Sequence, residues 1–169
     1  MDTPQIYVAC LAAYNNGILH GRWISANQDF YEIQDEIRDM LAKSPIENAE
    51  EFALHDYEGF GSISLSEYED LKTVVQYAEF IAEHGELGAE LIAEYDFDYA
   101  KTLLEDHYHG AYESEVDFAY ELFDECYNSN ALPEHLSYYF DYAAFARDLF
   151  INDYIAVDAE GIVHVFSRY

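Results

Sequence analysis

Apolar residues in this chain follow strand-like patterns near its two ends and helical spacing between them. Gln5 to Ala13 (QIYVACLAA) is rich in β-forming residues, and Tyr14-Asn15-Asn16-Gly17 follows as a hairpin-turn signature. Ile18 to Ser25 is therefore expected to return as a second strand. Asp29 is placed to cap a helix whose apolar positions Phe30, Ile33, Ile37, Met40 and Leu41 keep helical spacing up to Lys43. Ser44-Pro45 ends that helix, and Glu51 to Tyr57 reads as a third strand. The first break comes at Glu58-Gly59-Phe60-Gly61 and closes a small ββαβ unit.

Beyond the break, Ser64 with Glu67 has the form of a capping box. It opens a helix through Tyr68, Leu71, Val74, Val75, Ala78 and Ile81, with Gly85 as its C-terminal cap. A shorter helix through Leu87, Leu91 and Ile92 reaches Tyr95, and another spans Tyr99 to Tyr108. Ser114 with Asp117 begins a helix to Tyr127, which Asn128-Ser129-Asn130 interrupts. Pro133 suits the first turn of the next helix, and Asp141 caps Tyr142 to Phe150. A closing hairpin runs from Asp153 to Ser167 around the turn Asp158-Ala159-Glu160-Gly161. The expected class is α+β in three parts: an N-terminal ββαβ domain (1–61), an all-helical middle (62–107) and a C-terminal α+β domain (108–169).

Charge changes this ordinary picture. The chain has 35 acidic residues against seven basic ones, a formal net charge of −28. Most of the excess lies between Ser44 and Ala146, where 25 acids face only Lys72 and Lys101, a net of −23 (−25 + 2). Disorder is not implied, because hydrophobic residues make up 51% of the chain and are threaded through the run. Nucleic acid and anionic membranes are disfavoured as direct partners, whereas a strongly basic partner is favoured. Cys10 and Cys126 are too few for a disulfide framework and read as small buried hydrophobes. No basic-then-apolar leader or apolar span stands out, so the chain is expected to be soluble and cytoplasmic.

No catalytic constellation emerges. GxSxG, a phosphate-cradling Gly-rich loop with Lys, and HExxH are all missing. His107 and His109 form an HxH beside Glu105 and Asp106, but that spacing diverges on a helix and no partner set has zinc spacing. Asp96 and Asp98 begin like a calcium loop without its Gly and terminal Glu. The expectation is a protein that is not an enzyme and carries no metal or cofactor.

The spacing of the acids is more informative. Glu79, Glu83, Glu86, Glu90 and Glu94 recur at helical spacing, which on one helix gives a carboxylate about every 5–6 Å. Duplex DNA carries a phosphate about every 3.4 Å of axis per strand, a repeat of the same order. An ordinary solvated face mixes Lys with Glu, and here Lys is nearly missing. A rigid surface of carboxylates would occupy a basic nucleic-acid-binding groove in place of DNA. Its candidate residues are Glu47, Glu50, Glu67, Asp70, Glu79, Glu83, Glu86, Glu90, Glu94, Asp98, Glu105, Glu113, Glu115, Glu121, Asp124 and Glu125. A halophilic acidic enzyme and an acidic chaperone for basic proteins stay open as rivals on charge alone.

Several short stretches resemble the ArdA antirestriction proteins over essentially the full chain. They are Ile6-Tyr7-Val8-Ala9, Tyr14-Asn15-Asn16-Gly17, Gly21-Arg22-Trp23 and Ala53-Leu54-His55-Asp56-Tyr57-Glu58, then Leu132-Pro133 and Tyr142-Ala143-Ala144-Phe145-Ala146-Arg147-Asp148-Leu149. The resemblance implies an elongated homodimer that imitates B-form DNA. It implies inhibition of type I restriction–modification enzymes through the DNA-binding cleft of their specificity and methyltransferase subunits. Carriage on mobile genetic elements is also implied. Within the last stretch, Leu132, Pro133, Tyr142, Phe145, Ala146, Arg147, Asp148 and Leu149 match the family's antirestriction motif and dimer region. For Arg147 and Asp148 an ion pair, within the chain or across a dimer, is the plainer reading.

Overall fold

The computed structural model describes residues 2–126 and 133–168. The chain falls into two compact units, Met1–Glu94 and Tyr95–Tyr169. In the first, β1 (Gln5–Cys10) lies between β2 (Gly21–Ser25) and β3 (Phe52–Glu58), antiparallel to both. Helix α2 (Phe30–Ala42) buries Ile33, Ile37 and Met40, and the Asp29 side chain accepts from the Tyr31 amide at 2.7 Å. Ile6, Val8, Ile24 and Ile33 are fully buried or nearly so and form the centre of this core.

The expected β1–β2 pairing is present, but its connection is helical. Leu11–Asn15 forms α1, and Asn16-Gly17 closes that helix instead of turning a hairpin. The amide of Ile18 donates to Ala13 carbonyl (3.0 Å) and that of Gly17 to Tyr14 carbonyl (2.9 Å), with Gly17 at φ +73°. This is the Schellman arrangement, which uses the same Asn-Gly pair a tight hairpin would. Leu-Ala-Ala before it is strongly helix-forming.

The Ser64–Glu67 capping box does not form. Phe60 and Ile63 are buried, and the amide of Leu54 on β3 donates to the Glu67 carbonyl at 2.9 Å. These contacts hold 62–69 as an irregular segment beside the strand. Helix α3 (Leu71–Glu94) starts later, where Asp70 Oδ1 accepts from the Lys72 amide at 3.1 Å. Gly85 interrupts α3 with φ +62° and ψ −145°, a conformation essentially confined to glycine.

In the second unit, α4 (Phe97–Asp106), capped by Asp96, leads into a strand that periodicity did not signal. This strand, β4 (Tyr108–Tyr112), pairs with β6 (Ile162–Ser167), which pairs with β5 (Tyr154–Ala159). The closing hairpin is thus two strands of a three-stranded antiparallel sheet. Helices α5 (Glu115–Cys126), α6 (Glu134–Ser137) and α7 (Tyr142–Asn152) complete the unit. The Asp141 side chain accepts from the Ala144 amide at 3.0 Å, as its capping role requires. Phe118 of α5 is buried among the rings of Tyr112, Phe150 and Tyr154. The fold is α+β, with a small antiparallel sheet near each end and helices between.

Candidate acidic interface

All seven basic side chains have partners within the chain. Arg22 lies 3.1 Å from Glu36 and 3.3 Å from Asp39, Lys43 lies 2.6 Å from Asp39, and Arg38 pairs with Asp35. The Lys43 hydrogen bond, with the Lys43 and Arg22 charges, holds the Asp39 carboxyl below its usual range. Lys72 sits 5.6 Å from the centre of the Phe30 ring, and Arg168 donates to the Phe150 carbonyl at 3.1 Å. Four of these seven cations therefore surround α2 and occupy its acids and its Phe30 ring.

The sixteen candidate carboxylates lie elsewhere. Fourteen are exposed, and Glu86 and Glu90 are half-buried. Of the fourteen, Glu105 alone meets a Lys or Arg in an ion pair, with Lys101 at 3.7 Å. Glu67 faces His55 at 3.7 Å and Glu83 faces His84 at 3.9 Å. Glu90 accepts from the Ser62 hydroxyl at 2.7 Å. The five-glutamate stripe is divided, because Gly85 leaves helical geometry between Glu83 and Glu86.

Local rules of helix design are broken where these acids sit. The last turns of α3, α4 and α5 contain no basic residue. They carry instead Glu94 on α3, Glu105 and Asp106 on α4, and Asp124 and Glu125 on α5. A carboxylate there opposes the helix dipole, at about 0.3–1 kcal/mol each when exposed. Asp117, Glu121 and Glu125 also stack one turn apart on the exposed side of α5, another repulsive arrangement. Asp117, which with Ser114 opens α5, is exposed as well and belongs to this acidic side; the Ser114 hydroxyl donates to it at 2.5 Å. Burial, with the charges of Glu121 and Glu125, pushes the Tyr112 phenol above its ordinary range. Burial, Tyr120 and Asp124 do the same to Tyr142.

The motif residues near the end of the chain divide by environment. Ala146 is buried, Tyr142, Phe145 and Leu149 are half-buried, and Pro133, Arg147 and Asp148 are exposed. Phe145 and Tyr142 both meet the ring of Phe123. Arg147 Nε lies 3.7 Å from Asp148 Oδ1, an exposed pair between neighbours. Leu132, Asn128-Ser129-Asn130 and Tyr127 fall outside the described residues. His107 ends α4 with its Nδ1 3.1 Å from the Ser167 hydroxyl, while the His109 ring packs on Phe118 and Tyr154. Cys10 is buried as expected, whereas Cys126 is exposed. Among the described residues, no helix is long and apolar enough to cross a membrane.

No curated protein matches the chain. A family model described as antirestriction protein (ArdA) matches residues 6–164.

Proposed function

The chain belongs to the ArdA family of antirestriction proteins, and from that premise we propose that it inhibits type I restriction–modification enzymes as a DNA mimic. Its carboxylates take the place of phosphates in the DNA-binding cleft formed by the enzyme's specificity and methyltransferase subunits. The observation that carries this reading is the set of acids at the C-terminal turns of α3, α4 and α5. Stability alone would favour Lys or Arg there, whereas a partner that binds phosphates favours carboxylates. Of the acids in those turns only Glu105 meets one of the seven cations, Lys101 at 3.7 Å, and Glu94, Asp106, Asp124 and Glu125 face none among the described ion pairs.

The protein acts as a homodimer in this reading, with the C-terminal unit, including Tyr142, Phe145 and Leu149, providing the contact. A gel-shift competition at low salt tests the central claim. The protein should displace labelled duplex DNA from a type I methyltransferase complex, and failure to displace it at any excess would sink the proposal. Light scattering on the free protein should return twice the mass of the 19.5 kDa chain. A monomer mass would remove the dimer from the account.

A further inference from the structure

Between α1 and the start of β3 lies a groove of about 470 Å³ lined by Leu11, Glu50, Glu51, Phe52 and Tyr68. Leu11, Phe52 and Tyr68 give it apolar and aromatic walls, and the adjacent acids Glu50 and Glu51 complete its lining. The amide of Leu11 donates to the Glu51 carbonyl at 3.0 Å, which fixes the backbone there, while both Glu side chains are exposed. Among the described residues, no ion pair or hydrogen bond engages the Glu50 or Glu51 carboxylate. Tyr68 is 69% exposed, a large ring left open beside these charges.

A neighbouring groove of about 230 Å³ shares Glu50 and Phe52, and there the lining includes the chain's own Arg38. That cation is committed to Asp35. The larger groove has the same type of wall and no cation of its own.

We propose that this larger groove receives one arginine side chain of the protein partner. The methylene stem lies against Leu11 and Phe52, the guanidinium plane covers the Tyr68 ring, and Glu50 and Glu51 accept its N–H groups. Arginine fits better than lysine because its planar, forked head stacks on an aromatic face while pairing with carboxylates. The assignment rests on the reading above, in which the partner offers a basic DNA-binding surface. It adds a discrete anchor to an otherwise distributed attraction.

Two measurements on the full chain test it. In the first, N-acetyl-arginine methylamide is titrated into the protein and followed by NMR, with the neutral citrulline analogue as control. Shifts should concentrate at Leu11, Phe52 and Tyr68 with arginine only, and vanish in Tyr68→Ala. Shifts spread evenly over acidic surfaces, or equal shifts with citrulline, overturn the groove.

The second is competition with DNA for the methyltransferase complex. Tyr68→Ala leaves the net charge intact and should raise the half-inhibitory concentration about threefold to fivefold. Glu50→Gln with Glu51→Gln should lose more inhibition than the charge-matched pair Glu32→Gln with Glu58→Gln. If the wild type competes and Tyr68→Ala matches it, the anchor is wrong while mimicry stands. If the wild type fails to compete yet the arginine shifts appear, the groove stands as an arginine site and mimicry falls.

Discussion

Single residues in this protein divide into those that neutralise charge and those that leave it bare. Asp39 shares its carboxylate between Lys43 and Arg22, while Glu79 has no partner among the described ion pairs. His164 shows the other way in which a residue's setting fixes its ionisation. Its Nδ1 lies 2.9 Å from the Tyr108 hydroxyl, and burial lowers its pKa, against the opposing charges of Asp158 and Glu160. A depressed histidine pKa means that the folded state binds fewer protons than the unfolded chain as pH falls. Stability from this group is therefore complete above the unfolded value of about 6.5 and declines below it until the folded pKa is passed. His164→Gln should flatten that decline in urea unfolding measured from pH 7.5 to 5. An identical slope in wild type and variant would show that His164 is not its source. Tyr108 and Tyr154, both raised by burial, impose the matching loss at alkaline pH.

At the scale of elements, the acids at helix ends cost stability, and under the proposed mimicry they serve binding. Glu94 is exposed in the last turn of α3, one turn after Glu90. Glu94→Lys would align with the dipole and create a favourable Glu-to-Lys spacing, raising stability by about 0.5 kcal/mol. It should weaken competition with DNA at the same time. A variant that is both more stable and an equal or better inhibitor would argue that this helix end has no part in binding. The sequence revealed α2, α7, β3 and the β5–β6 pair because each has its periodicity and caps within reach, as Asp29 and Asp141 illustrate. It concealed β4, whose partner β6 comes fifty residues later and whose strand identity depends on pairing and on rings such as Phe166. It also misdirected at Asn16-Gly17, since the same residue pair serves a hairpin and a helix end. The carboxylates were legible as a surface because sheer Lys-poverty marks them. The groove beside Tyr68 was not, because it depends on how 62–69 folds back along β3.

For the whole molecule, the net charge of −28 acts on two equilibria with opposite sign. Folding gathers the charges, and under the proposed mimicry binding to a basic cleft would neutralise them. Added salt shortens the screening length from about 10 Å at 0.1 M to about 3 Å at 1 M. Screening then relieves repulsion within the folded chain and weakens attraction to the partner. The urea midpoint should accordingly rise as NaCl increases, with no change of fold at low salt. Affinity for the methyltransferase complex should fall steadily over the same series. Self-association should follow stability rather than affinity, because a dimer brings together two chains of equal negative charge. This combination separates mimicry from the rival readings of an acidic chain. A halophilic enzyme would unfold near 0.1 M salt, and an affinity unaffected by salt would leave the carboxylates no role in recognition. Opposed trends in one protein, stability upward and affinity downward, follow only if the same unneutralised surface both strains the fold and engages the target.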